Sequence, residues 1–254
     1  MSTHSLGVAR GQNGFTVVEL LIALLIGLFL LGGLLTLVQD SRRSFAGQNA
    51  LSQLQDSERL AMTMMTDVIQ TAGYFPNPTL NTAIIALPAA GVMAAGQSLV
   101  GTGAFNAAAP GDTITVRYAT TSGDGVLNCI GGTNTSGAAA PLLYTNVFSV
   151  VNGQLVCTLN GTVYPLVGAV NGTAGGIIVN NLSIRYGISN GGTAGNVNEY
   201  VDATGVPVWT QVISVQITLT FNNPLWSAAN VGQGNQPQFL TFQRIVPVMN
   251  QTGI

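Results

Sequence analysis

The sequence predicts an α+β fold in which one long N-terminal α-helix packs on an antiparallel β-sheet. No proline occurs between residues 15 and 75, and apolar residues in the second half of this stretch recur mostly at helical spacing. After residue 75, apolar and polar residues alternate in several short segments, as they do in half-buried strands. A helix followed by consecutive strands is typical of the α+β class.

The first part of the helix is a continuous apolar run. It covers residues 15–38, and Glu19 is its only charged residue. At about 1.5 Å of rise per residue, a helix of this length exceeds the ~30 Å hydrocarbon core of a bilayer. We therefore expect residues 15–38 to cross a membrane and the rest of the chain to lie on one side of it.

The second part of the helix, residues 39–74, is amphipathic. We expect one helix over residues 16–72 that ends at Gly73, because glycine favours a helix C-terminus and Pro76 and Pro78 follow. The face that should be buried consists of apolar residues at steps of mostly three and four: Leu51, Leu54, Ala61, Met62, Met65, Val68, Ile69 and Ala72.

Strands are expected where period-two alternation is clearest. Asn152-Gly153 is a strong hairpin signal between two such segments. The glycine-rich stretches 187–195 and 228–237 are expected to be loops, and residues 79–110 to have little regular structure. The predicted strands cover residues 113–118, 142–151, 154–159, 181–186, 211–221 and 239–248.

Glu19 requires a partner, because a carboxylate inside an apolar membrane helix costs a few kcal/mol. If the chain is cut after Gly14, Phe15 acquires a free amine that is largely protonated at neutral pH. Phe15 and Glu19 are four residues apart, so they share one helix face. The carboxylate can then pair with the amine of its own chain or with that of a neighbouring copy. A plain uncut signal-anchor helix is the alternative.

Gly14-Phe15-Thr16-Val17-Val18-Glu19, followed by the unbroken apolar helix, resembles the class III leader junction of type IV prepilins and pseudopilins. The resemblance implies that a prepilin peptidase removes residues 1–14 and that Phe15 is N-methylated. It also implies that Glu19 guides docking into a filament. A cytoplasmic leader places residues 75–254 in the periplasm as a β-rich pilin-like domain, on a single-pass inner-membrane protein that later joins a surface pilus.

Residues 67–74, which end in Ala72-Gly73-Tyr74, resemble the end of the first helix in the PilW family of minor pilins. This resemblance implies a structural, initiating subunit whose partners are other minor pilins and the major pilin. Such subunits serve pilus biogenesis, twitching motility and adhesion. One alternative is a minor pseudopilin of a type II secretion system, similar to its J subunit. Another is a membrane-anchored adhesin or enzyme without a filament role.

The chain has two cysteines, Cys129 and Cys157. In a domain outside the cytoplasm, an even pair of cysteines predicts a disulfide. Two buried free thiols are the alternative.

The sequence does not predict an enzyme. His4 is the only histidine and lies in the leader, so the processed chain cannot use a Ser-His-Asp or Cys-His mechanism. Glu199 and Asp202 are close enough in sequence to share a loop cation, although we favour solvated acids there. Asp124, between two glycines, is expected in a turn. No cofactor, metal or small-molecule substrate is expected.

Charged residues make up 6% of the chain, none is lysine, and the net charge is −2. No basic patch is present, so DNA binding is not indicated. Residues 172–176 lack the strand–helix context and the lysine of a phosphate loop and are expected to be a linker. Trp209 and Trp226 are expected to pack in the core rather than to contact a partner.

Overall fold

The computed structural model describes residues 14, 16–104, 111–171, 173, 176–189, 195–226 and 236–249. The chain divides into two compact units, Met1–Gln48 and Asn49–Ile254.

Helix α1 runs over Val17–Gln70, 54 residues. It ends two residues before the predicted bound, and the prediction of a single long helix is confirmed. Gly73 follows with φ of 79°, a left-handed conformation that glycine adopts without steric cost. Its N–H donates to the carbonyl of Arg117 at 3.0 Å, which ties the chain after the helix to a strand.

Nine strands and one short α-helix follow α1 among the described residues of the unit Asn49–Ile254. They are α2 (Ala83–Ala86), β1 (Leu99–Thr102), β2 (Thr113–Thr120), β3 (Leu142–Val151), β4 (Gln154–Leu159), β5 (Thr162–Val167), β6 (Val179–Ile188), β7 (Glu199–Val201), β8 (Val212–Asn222) and β9 (Phe239–Pro247). The strands form two antiparallel sheets, with orders β1-β2-β3-β4-β5 and β7-β6-β8-β9. A single sheet was expected, and the division into two is a correction.

Two Asn-Gly turns shape the five-stranded sheet. Asn152 and Gly153 have φ of 49° and 85° and join β3 to β4, which confirms the predicted hairpin. Asn160 and Gly161 have φ of 47° and 90° and join β4 to β5 by the same chemistry. Strand β5 was not predicted from the sequence.

Strand β1 and helix α2 lie within residues 79–110, which were expected to be largely irregular. Strand β6 extends to Ile188 and so includes the start of the predicted loop at 187–195. Most of that loop and of the predicted loop at 228–237 lies outside the described residues, as do residues 172, 174 and 175 of the predicted linker.

One continuous apolar core joins the C-terminal part of α1 to both sheets. The buried helix face matches the predicted one except at Leu51, which is only half-buried. The fully buried aromatic side chains Tyr118, Phe148, Tyr186 and Phe221 come from both sheets. The architecture is therefore a long helix packed on antiparallel sheets, and the predicted fold class is confirmed. The buried residues of this face are Leu54, Ala61, Met62, Met65, Val68 and Ile69 of α1 and Ala72 just after it.

Candidate functional site

The predicted processing and docking residues lie at the start of α1. Gly14 is exposed, and a side chain added there would meet no other atom within 4 Å. Phe15 lies outside the described residues, as does the leader before Gly14. Glu19 is exposed in the first turn of the helix.

Thr16 and Glu19 form part of a capping box, a feature that the sequence analysis missed. The Glu19 N–H donates to the Thr16 hydroxyl at 3.3 Å, which satisfies one of the unpaired donors at the helix start. The spacing Thr-x-x-Glu was the signal available in the sequence. A carboxylate in the first turn also interacts favourably with the helix dipole. The Glu19 carboxylate therefore favours the start of the helix through the helix dipole, with or without a partner.

The apolar surface of residues 17–38 is not covered by other described residues of the unit Met1–Gln48. Its large apolar side chains are between 49% and 82% exposed. Among the described residues, α1 is the one helix that is long and apolar enough to cross a bilayer, a criterion of length and composition alone. A continuous apolar surface of this kind requires lipid or another protein to cover it.

Cys129 and Cys157 are joined by a disulfide, with their Cα atoms 6.3 Å apart. Both residues are fully buried, and the bond connects β4 to the loop before β3. Closing a loop of 28 residues stabilises the folded state by roughly 3–4 kcal/mol in the chain-entropy model.

The predicted loop acids have local structural roles. Asp124 accepts the N–H of Thr121 at 2.8 Å and that of Val126 at 3.1 Å, so it stabilises a turn as expected. Asp202 accepts the Thr204 hydroxyl at 2.6 Å and the Gly205 N–H at 2.9 Å. The Thr204 hydroxyl is the main cause that lowers the pKa of Asp202.

Within the described ranges, no group of three or more His, Cys, Asp or Glu residues could hold a metal ion. Glu199 lies at the start of the short strand β7, and Asp202 caps the turn that follows.

Asp112 is a buried acid near the start of β2. Its Oδ2 accepts the N–H of Ile184 at 2.7 Å, which links β2 to the other sheet. Its Oδ1 and the Tyr186 hydroxyl are buried and have no hydrogen-bond partner among the described residues. Burial raises the pKa of Asp112, the nearby Asp202 adds to the effect, and the Ile184 hydrogen bond opposes it. Burial likewise raises the pKa of Tyr186.

Arg117 is a buried cation in the middle of a strand. It lies on the same face of β2 as Thr113 and Thr115, and it is 1% exposed. Its guanidinium donates to four carbonyl oxygens of one preceding segment, those of Leu87, Pro88, Ala94 and Gln97. Burial lowers its pKa. The side chain therefore fixes residues 87–97 against β2.

The two tryptophans have different environments. Trp209 is partly buried and packs edge-on against the Tyr186 ring, with centroids 4.8 Å apart, as expected of a core residue. Trp226 is 36% exposed, so the expectation of core packing is wrong there.

An open groove of about 600 Å³ lies beside the last turns of α1. The side chains of Asp67, Thr71 and Tyr74 line it together with Leu127 and Met249. The lining therefore combines a carboxylate and two hydroxyl groups with apolar side chains.

Comparison with known proteins identifies the class of the N-terminal segment. Residues 9–35 match the family model of the prokaryotic N-terminal methylation motif. The start of the chain is thus of the prepilin type.

Among solved structures, the chain is similar to the type IV-like pilin TTHA1219 from Thermus thermophilus. The two share 15% sequence identity with a TM-score of 0.43, over 78% of this chain and 98% of that one. No curated protein matches the sequence.

Proposed function

We propose that this protein is a type IV pilin-like structural subunit, processed after Gly14 and assembled through α1. The observation that carries the proposal is an exposed apolar helix that begins directly after the methylation junction and has Glu19 as its only charge before Asp40. Such a surface suits lipid before assembly and the helices of neighbouring subunits after it.

Within this class we propose a minor pilin of the PilW type, which initiates pilus assembly. The support is Ala72-Gly73-Tyr74 at the end of α1 and the long region of two sheets after it. The protein would sit in the inner membrane with its C-terminal domain in the periplasm and then enter the surface pilus. Its partners would be the prepilin peptidase, the major pilin and other minor pilins. This proposal includes no enzymatic activity.

The methylation motif over residues 9–35 fits a minor pseudopilin of a type II secretion system equally well. The two candidates predict different effects of deleting the gene, because each would initiate a different filament. Loss of pili with normal secretion supports the minor pilin, and loss of secretion with normal pili supports the pseudopilin.

Processing is tested by mass spectrometry of the protein isolated from its native membrane. We expect the chain to begin at Phe15 with one added methyl group on its amine. A functional protein that still begins at Met1 would contradict the proposal and favour an anchored surface protein.

The role of Glu19 is tested with two variants. Glu19→Ala should insert into the membrane normally and fail to support assembly, because the carboxylate that pairs with a terminal amine is gone. Glu19→Gln should fail as well, although glutamine keeps the hydrogen-bonding capacity of a capping box. Counting filaments on cells that express each variant measures the effect.

Glu58→Gln is the matched control, since it removes one negative charge from the C-terminal part of the same helix. It should assemble normally. If Glu19→Gln also assembled normally, the acid would serve only to start the helix, and the charge-pairing role would be wrong.

A further inference from the structure

Strand β9 differs from the other three sheet edges. Strands β1 and β7 contain four and three residues, and β5 contains six residues with Pro165 among them. Short strands and proline are the usual means by which proteins block unwanted strand addition. Strand β9 has nine residues, and its only proline is the last, Pro247. Among the described strands it is therefore the one edge that is blocked neither by a short length nor by an internal proline.

The hydrogen-bond pattern defines which backbone groups of β9 point outward. At one end, Val248 donates to Ile213 at 2.8 Å, and at the other end Asn223 donates to Gln238 at 2.9 Å. Because bonded and non-bonded pairs alternate in an antiparallel ladder, the even-numbered residues of β9 bond to β8. The outward N–H and C=O groups belong to the odd-numbered residues Phe239, Thr241, Gln243 and Ile245.

These outward groups form a continuous template. In the part of the chain that the structure describes, no strand or loop pairs with them. Phe239 and Ile245 are also 40% and 53% exposed, so each end of the open run carries uncovered apolar surface. Pro247 has no N–H and ends the run. An added strand would satisfy the backbone groups and cover both side chains.

Arg244 places a positive charge at this edge, which favours an acidic residue on any strand added there. It lies opposite Ile217, which is fully buried, so its side chain emerges on the inner face at the rim of the sheet. Arg244 is half-buried and makes no hydrogen bond or ion pair with any described residue. Opposite charges on adjacent strands attract, so a carboxylate on an added strand would interact favourably with Arg244.

We propose that the edge of β9 binds an extended segment of another protein as a fifth strand, with an acidic side chain of that segment beside Arg244. A second copy of β9 is disfavoured as the occupant. Antiparallel pairing centred on Gln243 would place the two Arg244 side chains diagonally on one face, about 7–8 Å apart, with no acid in either strand. The inference does not depend on the proposed filament function.

The experiment uses the full chain in detergent and two fluorescent nine-residue peptides. One alternates threonine and valine with a central glutamate, and the other has lysine in place of the glutamate. Fluorescence anisotropy should show binding of the glutamate peptide at least tenfold tighter than that of the lysine peptide. Arg244→Glu should reverse this preference. Equal binding of the two peptides, or no binding of either, would overturn the proposal.

Gln243→Pro removes one outward N–H and leaves the β8–β9 ladder intact, so it should abolish binding. Gln243→Thr keeps the N–H and is the matched control that should bind normally.

Hydrogen exchange of the unmodified protein provides a second measurement that needs no variant. The glutamate peptide should slow exchange at residues 239, 241, 243 and 245, and unchanged exchange there would contradict strand addition. A dimer of the free protein that Gln243→Pro dissociates would show that a second copy is the occupant and would also overturn the proposal.

Discussion

The two parts of α1 share one helical backbone and differ in everything that surrounds it. Residues 17–48 expose almost all of their side chains within their own unit, whereas residues 49–70 bury one face in the core of Asn49–Ile254. A regular backbone therefore does not imply a common role. The C-terminal part is a core element of the unit Asn49–Ile254, and the N-terminal part has apolar surface that the described residues of its own unit, Met1–Gln48, do not cover.

Met65→Ala should cause the largest loss of stability among the substitutions that test this difference between the two parts of α1. Met65 is 0% exposed, and truncation of a buried methionine leaves a cavity that costs about 3 kcal/mol. We expect the free energy of unfolding of the C-terminal unit to fall by that amount in denaturant titrations followed by Trp209 fluorescence.

Leu28→Ala is the control in the other part of the helix. Leu28 is 75% exposed, so its truncation should leave the same unfolding transition unchanged. Equal losses for Met65→Ala and Leu28→Ala would show that the two parts are not distinct in packing.

Replacement of a glycine by alanine should have opposite effects in the two units. A Cβ at Gly101 would overlap the hydroxyl of Tyr186, which is fully buried, so we expect Gly101→Ala to cost about 1–3 kcal/mol. Gly32→Ala meets no atom within 4 Å and should stabilise the helix by about 1 kcal/mol. Thermal unfolding of the full chain should show the loss caused by Gly101→Ala. The gain from Gly32→Ala should appear as higher helical content in a detergent-bound peptide of residues 16–48.

The smallest expected effect is a pH dependence confined to the folded unit. The raised pKa of Asp112 means that folding favours its neutral form. The resulting stabilisation is complete below the unfolded pKa of about 3.9 and is lost as the pH rises through the folded pKa. Asp112→Asn, which stays neutral, should therefore gain stability relative to the unmodified protein as the pH rises above the unfolded pKa. A difference that does not change with pH would contradict this.

Local sequence signals were sufficient for the helix and the longer strands. The run without proline predicted α1, and the alternation around Ile217 and Leu219 predicted β8. Asn152-Gly153 predicted a hairpin because both of its residues tolerate positive φ. Strand β5 was missed because Pro165 interrupts its pattern, although Asn160-Gly161 carried the same turn signal.

Features that depend on distant parts of the chain were not predictable in this way. The burial of Arg117 could not be recognised from its own strand, because its four carbonyl acceptors lie 20 to 30 residues earlier in the sequence. The division into two sheets likewise depends on pairings that a strand does not encode alone. At the candidate site, the Thr16–Glu19 capping interaction was encoded locally and could have been recognised from its spacing.

The arrangement around Arg117 has a consequence for proteolysis. Residues 87–97 are joined by four carbonyl contacts to one side chain of an interior strand. Because the four contacts share one guanidinium, the anchored residues should leave the sheet together when Arg117 moves. A protease should therefore cleave this segment more slowly than the 83% exposure of Val92 would suggest. In this protein, solvent accessibility and cleavability should be separate properties.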